Sequence, residues 1–133
     1  MKLSRASSYA LAALAHLARE KPDAPLASHD MAKAEGTPKR YLLKVLGSLA
    51  DVGILRSLRG PGGGYRLARP AKDVTLLEVV EAVDGPIHGE APDLGKEGVA
   101  ALDKRLQAVC DEAAALVRQR LAKVTLAELA KGK

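Results

Sequence analysis

Apolar residues recur at three- and four-residue spacing at the start of the chain. Ala6, Tyr9, Ala10, Ala13, Leu14 and Leu17 fall on one face of a helix expected over residues 4–20. Ser4 is placed to cap it. Lys21-Pro22-Asp23-Ala24-Pro25 then reads as a turn. Ser28 stands ahead of a short helix over about residues 29–34, which Gly36 stops. Thr37-Pro38 is a second start signal: Thr at the cap and Pro at the first helical position, where its missing N–H costs no hydrogen bond. The helix it opens runs to about Val52. Leu42, Val45, Leu46 and Leu49 lie on one face, and Lys39, Arg40 and Lys44 lie away from it.

After Gly53 the period changes. Ile54-Leu55 enters a hairpin and Tyr65-Arg66-Leu67 leaves it with strand-like alternation. Between them Gly60-Pro61-Gly62-Gly63-Gly64 excludes a helix and supplies the positive φ angles of a tight turn. A tip without side chains also lets Arg59 and Arg66 reach a surface, and a negatively charged one suits them. A phosphate cradle of the nucleotide-binding kind would need a helix directly after the glycines, but Tyr65-Arg66-Leu67-Ala68-Arg69-Pro70 follows.

Thr75-Leu76-Leu77-Glu78 has capping-box form and opens a helix to about Val83, ended by Asp84-Gly85-Pro86. Residues 85–98 carry glycine and proline without periodicity and read as a loop. Leu102, Leu106, Val109, Ala113, Leu116 and Leu121 mark a long amphipathic helix. A second capping box, Thr125-Leu126-Ala127-Glu128, opens a short terminal helix.

Helix, helix, helix, hairpin is the order of a winged helix. The expected fold is mainly α with a small β-hairpin. A winged helix-turn-helix domain takes residues 1–72; a linker helix, a loop and a long C-terminal dimerisation helix take residues 73–133. With 133 residues one core should dominate. So small a domain cannot cover the apolar stripe of the long helix, and a second copy would.

Charge adds to this picture. Residues 1–72 hold 13 Lys/Arg against 5 Asp/Glu, and residues 73–133 hold 8 against 11, so the halves are near +8 and −3. One half is suited to a polyanion. Cys110, the single cysteine, rules out an intramolecular disulfide and suits a reducing compartment, so a cytoplasmic location is expected. His16 and Arg19 interrupt the first apolar stretch, which reads as a soluble helix rather than a signal peptide or membrane span. The three histidines are far apart, and His88 near Glu90 and Asp93 is weak support for a metal site; no catalytic constellation and no metal site are expected. Cys110 lies on the stripe of the long helix, where a buried, inert thiol is expected. A two-fold helix pair would bring two copies together, leaving a redox role open.

Tyr9-Ala10-Leu11, Tyr41-Leu42 and above all Ser57-Leu58-Arg59-Gly60-Pro61-Gly62-Gly63-Gly64-Tyr65 resemble the bacterial winged-helix regulators that include IscR, NsrR and CymR. Val74-Thr75-Leu76 through Ala82-Val83-Asp84, and Thr125-Leu126-Ala127-Glu128-Leu129, extend the resemblance over nearly the whole chain. It implies a homodimeric DNA-binding transcription regulator, a repressor by family habit, on a partly palindromic operator in double-stranded DNA. The recognition helix would be residues 38–51, with Arg59 entering the minor groove. Residues expected at the DNA are Ser28, Thr37, Pro38, Lys39, Arg40, Tyr41, Lys44, Ser57, Arg59, Gly60, Gly62, Gly63 and Tyr65. Dimerisation is expected through Leu102, Leu106, Val109, Ala113, Leu116 and Leu121.

The resemblance also implies a departure. Well-known members hold an iron–sulfur cluster through three cysteines in the segment matching residues 92–107, sometimes with a histidine. Here Pro92, Gly98, Lys104 and Gln107 stand at the aligned positions. No cofactor is therefore expected. The effector, a small molecule or a regulatory protein, is left open. The alternative function is an interaction module whose DNA binding is controlled by a protein docking on the C-terminal half.

Overall fold

The computed structural model describes residues 2–19, 24–91 and 100–131. Helix α1 spans Arg5–Arg19. The Ser4 hydroxyl caps it as expected, accepting from the Ser7 N–H at 3.0 Å. Ala10, Ala13, Leu14 and Leu17 are buried along one stripe.

Helix α2, Ser28–Glu35, corrects one expectation. Ser28 lies inside the helix, and Ala27 is the N-cap residue, with no side-chain cap bond. Gly36 ends α2 in the left-handed conformation (φ +66°), so its role as a stop is borne out.

Helix α3, Lys39–Asp51, corrects another. Thr37 is not the cap: it is buried, and its N–H closes the turn onto the Ala32 carbonyl at 3.1 Å. Pro38, extended at ψ 127°, takes the N-cap position instead, and its carbonyl accepts the first helical bond from the Leu42 N–H at 3.0 Å. Leu42, Val45, Leu46 and Leu49 are buried, as their spacing requires.

Strands β1, Leu55–Leu58, and β2, Gly64–Leu67, pair antiparallel with Leu55 opposite Leu67 and Arg56 opposite Arg66. At the tip the Gly63 N–H bonds the Gly60 carbonyl at 2.9 Å, with Pro61 and Gly62 (φ +77°) between them, the arrangement of a type II turn. Gly64 is needed for a different reason. Leu26 forms a bridge to Tyr65, with both N–H···O bonds at 2.9 Å. A Cβ on Gly64 would lie 2.4 Å from the Leu26 carbonyl oxygen, at a φ of +149°.

A single 3-10 turn, Ala71–Asp73, leads to helix α4, Leu76–Asp84. Its capping box forms in full: the Glu78 N–H donates to the Thr75 hydroxyl and the Thr75 N–H to the Glu78 carboxylate, at 3.1 and 2.9 Å. Burial pushes the Glu78 carboxyl up. The Thr75 backbone bond and the Arg69 guanidinium, 2.7 Å away, outweigh it and hold Glu78 below the usual carboxylate value.

Helix α5 spans Ala100–Leu121 and contains no buried residue. The short α6, Leu126–Ala130, returns to the core. Its expected capping box forms only in part, with the Thr125 hydroxyl accepting from the Glu128 N–H at 3.2 Å. The Leu76 N–H bonds the Val124 carbonyl and the Leu126 N–H the Val74 carbonyl, each at 2.8 Å. Leu126 thus joins Leu14, Met31, Leu42, Leu46, Leu49, Ile54, Val74 and Val79 in one buried cluster. The expected division at residue 72 does not divide this core. The Asp84 carboxylate also ties the halves together, accepting from the hydroxyls of Ser4 at 2.7 Å and Ser7 at 2.8 Å. Its negative charge is unfavourable at the end of α4 and favourable at the start of α1.

Candidate nucleic-acid interface

The exposed side of α3 is basic and begins at its first residue. Lys39, Arg40, Tyr41 and Lys44 are exposed, and Leu43 lies among them. The first turn of α3 holds no acidic residue, so Lys39 and Arg40 sit at the positive end of the helix dipole uncompensated by a carboxylate there. The hairpin, which packs against α3, repeats this pattern. Arg56 stands directly opposite Arg66 across the strands, a pairing that repels unless an anion intervenes. Arg59 is exposed next to the tip. Among the described residues the cationic and acidic side chains that meet are Arg69–Glu78 and Arg118–Glu81, with the His16 ring 3.0 Å from the Glu35 carboxylate. Lys39, Arg40, Lys44, Arg56, Arg59 and Arg66 take part in none of them.

The structure sorts the thirteen expected contact residues. Pro38, Lys39, Arg40, Tyr41, Lys44, Ser57, Arg59, Gly60 and Gly62 are exposed, and Ser28 and Gly63 are half-buried. Thr37 is buried and serves the α2–α3 turn rather than a surface. Tyr65 spends its backbone N–H and carbonyl on Leu26, and its side chain packs against the core. Arg56 carries no motif signal, because its position opposite Arg66 depends on the register. Arg5 carries none either, and the fold brings it beside Tyr41 and Lys44.

The far half sorts as sharply. Leu102, Leu106, Val109, Ala113 and Leu116 are exposed along α5, with Val109 and Leu116 at 61% and 66%. Leu121 departs from that stripe and is half-buried. Cys110 departs too: with Ala114 and Val117 it forms a second, inner stripe against a cleft of about 470 Å³ shared with Val80 and Ile87. Arg118 and the Ile87 N–H both bond the Glu81 carboxylate, joining α5 to α4 and to the following loop.

A compact helical unit carrying an exposed basic helix and a basic, glycine-tipped hairpin defines a winged helix-turn-helix DNA-binding protein. The model of the Rrf2 family, described as iron-dependent transcriptional regulators, matches residues 3–132. A protein of Rhodobacter capsulatus named as an rrf2-like HTH-type transcriptional regulator is 39% identical over 120 residues, covering 87% of this chain and 76% of that one. The HTH-type transcriptional regulator IscR of Xenorhabdus nematophila is 31% identical over 132 residues, covering 98% and 80%. Among solved structures, CymR of B. subtilis, described as the global cysteine regulator, superimposes with a TM-score of 0.75 at 25% identity, covering 98% and 96%. The chain belongs to the Rrf2 family: it is a DNA-binding transcription regulator and not an enzyme. No helix among the described residues is long and apolar enough to cross a membrane.

The family's iron dependence can be compared with the donors this chain offers. Cys110 is its only thiol. Pro92 and Gly98 lie outside the described residues, and neither side chain is a ligand type. Lys104 is exposed. The Gln107 carboxamide is engaged, accepting from the Ala91 N–H at 3.2 Å and donating to the Gly89 carbonyl and the Asp111 carboxylate at 2.8 Å. Among the described residues no three His, Cys, Asp or Glu side chains converge. This donor set does not fit a cluster held by three thiolates.

Proposed function

We propose that the chain is a homodimeric repressor without the family's cluster, gripping a partly palindromic operator with α3 in the major groove and the hairpin as a wing in the minor groove. The observation that carries it is the set of cations at the start of α3 and on the hairpin that form no ion pair among the described residues. Such charge suits phosphates and base edges. A narrow minor groove concentrates negative potential and attracts an arginine such as Arg59. The uncovered stripe of α5 supports the dimer, whose two-fold axis would mirror the operator.

At physiological salt the purified protein should bind one genomic sequence at least about 10³-fold more tightly than random DNA. Genomic footprinting would locate that sequence. The Arg59→Ala protein should lose about 1–3 kcal/mol of operator affinity in a gel shift. Wild-type affinity in that variant would remove Arg59 from the interface. Anaerobic purification giving a brown protein with stoichiometric iron and sulfide would overturn the cluster-free reading.

A further inference from the structure

The loop after α4 runs over α5, and together with Lys2 and Leu3 they enclose the cleft of about 470 Å³. That volume is typical of small-ligand sites, which span about 300–1,000 Å³. The loop wall is fastened in place. The Ile87 N–H donates to the Glu81 carboxylate at 2.9 Å, and the Gln107 carboxamide donates to the Gly89 carbonyl at 2.8 Å and accepts from the Ala91 N–H at 3.2 Å. Gly89 lies so close to α5 that a Cβ there would stand 2.4 Å from the Asp111 nitrogen. Polarity divides along the cleft. Val80, Ile87, Ala114 and Val117 give an apolar floor. Lys2 and Asp84, both exposed, also line it and form no ion pair with each other. They share one end, because the Asp84 carboxylate holds the hydroxyl of Ser4, two residues after Lys2. Oδ2 of Asp84 accepts from both Ser4 and Ser7, whereas Oδ1 accepts from Ser4 alone and retains a free acceptor site.

We propose that this cleft binds a free α-amino acid with an aliphatic side chain as the regulator's effector. Its carboxylate meets Lys2, its ammonium meets Asp84 Oδ1, and its side chain lies on the floor between Val80 and Val117. A cation and an anion left apart at one end of an apolar floor match a zwitterion. A simple anion would face Asp84 and a simple cation would face Lys2, each a repulsive neighbour. The effector role rests on the DNA-binding reading, whereas occupancy of the cleft does not. Asp84 connects the two. Its carboxylate holds the hydroxyls of Ser4, which caps α1, and of Ser7. Helix α1 packs on α3, where Tyr9 lies 6.3 Å from Tyr41 between ring centroids. A ligand ammonium competes with those hydroxyls for Asp84, loosens the start of α1 beneath α3 and so lowers operator affinity. By linkage, the operator lowers affinity for the amino acid by the same factor.

Cys110 is the only thiol of the chain and lines the same cleft, so its reaction with a chromogenic aromatic disulfide reports occupancy without DNA. With L-valine, L-leucine or L-isoleucine at about 10 times the dissociation constant, the labelling rate should fall about tenfold, because only empty protein reacts. Isocaproate and isoamylamine, which are leucine without its ammonium and without its carboxylate, should protect far less. The Asp84→Asn protein should bind leucine about tenfold more weakly. Lys2→Gln should weaken it by a smaller factor, because Lys2 is exposed. Melting curves show whether both variants are folded. In a gel shift, saturating leucine should lower wild-type operator affinity by about 5–150-fold. No protection by any of the three amino acids would overturn the site, as would equal protection by isocaproate or full protection in both variants. Protection with unchanged operator affinity would overturn the effector role. A protein that is protected but binds no DNA would sink the DNA-binding reading and the effector role together, and the amino-acid site would stand.

Discussion

Replacing Val109 and Leu116 together with lysine is expected to produce a folded monomer whose operator affinity is about 10²–10⁴-fold below wild type. Both side chains are more exposed than buried, and α5 contributes no buried residue to the subunit. The substitutions therefore remove little packing within one chain, and changes at such positions usually shift stability by no more than about 0.5 kcal/mol. Across a two-fold axis the same stripe would meet its own copy, so four lysines would replace an apolar seam and repel one another. The DNA consequence follows from linkage. Two recognition helices held in one dimer make the second half-site contact intramolecular, and separate monomers lose that effective concentration. Light scattering coupled to gel filtration reads the first outcome and a gel shift on the full operator the second. A double variant that stays dimeric places the interface elsewhere. A monomer that keeps wild-type affinity breaks the link between dimerisation and operator binding.

What could be read in advance depended on how local the determinants were. The Thr75–Glu78 box, the Gly36 stop and the apolar face of α3 each depend on residues within a turn or two, and the structure keeps them. Thr37 went wrong for a related reason. Thr-Pro is a cap signal in isolation, but the Thr37 N–H is drawn back to Ala32, and the cap passes to Pro38. Non-local features were hidden. The need for glycine at position 64 comes from Leu26, and the like-charge pair Arg56–Arg66 comes from strand register. On α5 one periodic signal covered two stripes. The outer one runs through Leu102, Leu106, Val109 and Leu116, and the inner one carries Cys110 toward α4. Spacing alone does not say which stripe meets the chain's own core. The candidate site followed the same rule: Lys39, Arg40 and Arg59 could be read from their motifs, whereas Arg5 joins them only through the packing of α1 on α3.

Leu126→Ala is expected to lower stability by about 2–5 kcal/mol, although the residue lies close to the end of the chain. Chain ends usually tolerate truncation unless their backbone and side chains are tied down. Here both are. Leu126 is 1% exposed within the central cluster, and its N–H bonds the Val74 carbonyl at 2.8 Å. Arg19 of α1 adds a bond of 2.9 Å to the Ala130 carbonyl. Removing the leucine side chain leaves a cavity beneath α6, where it packs on α1 and the turn Ala71–Asp73, that the bridge at Thr75 and Thr125 keeps from closing. The melting temperature should fall by on the order of 10 °C, read by circular dichroism. Leu129→Ala, on the same short helix but 43% exposed, should stay within about 0.5 kcal/mol of wild type and serves as the control. Equal melting of the two variants would mean that α6 merely rests on the surface. The expected difference would fix the far end of α5 to the core of the DNA-binding unit through Leu126, so that a force applied along α5 meets a rigid anchor rather than a loose tail.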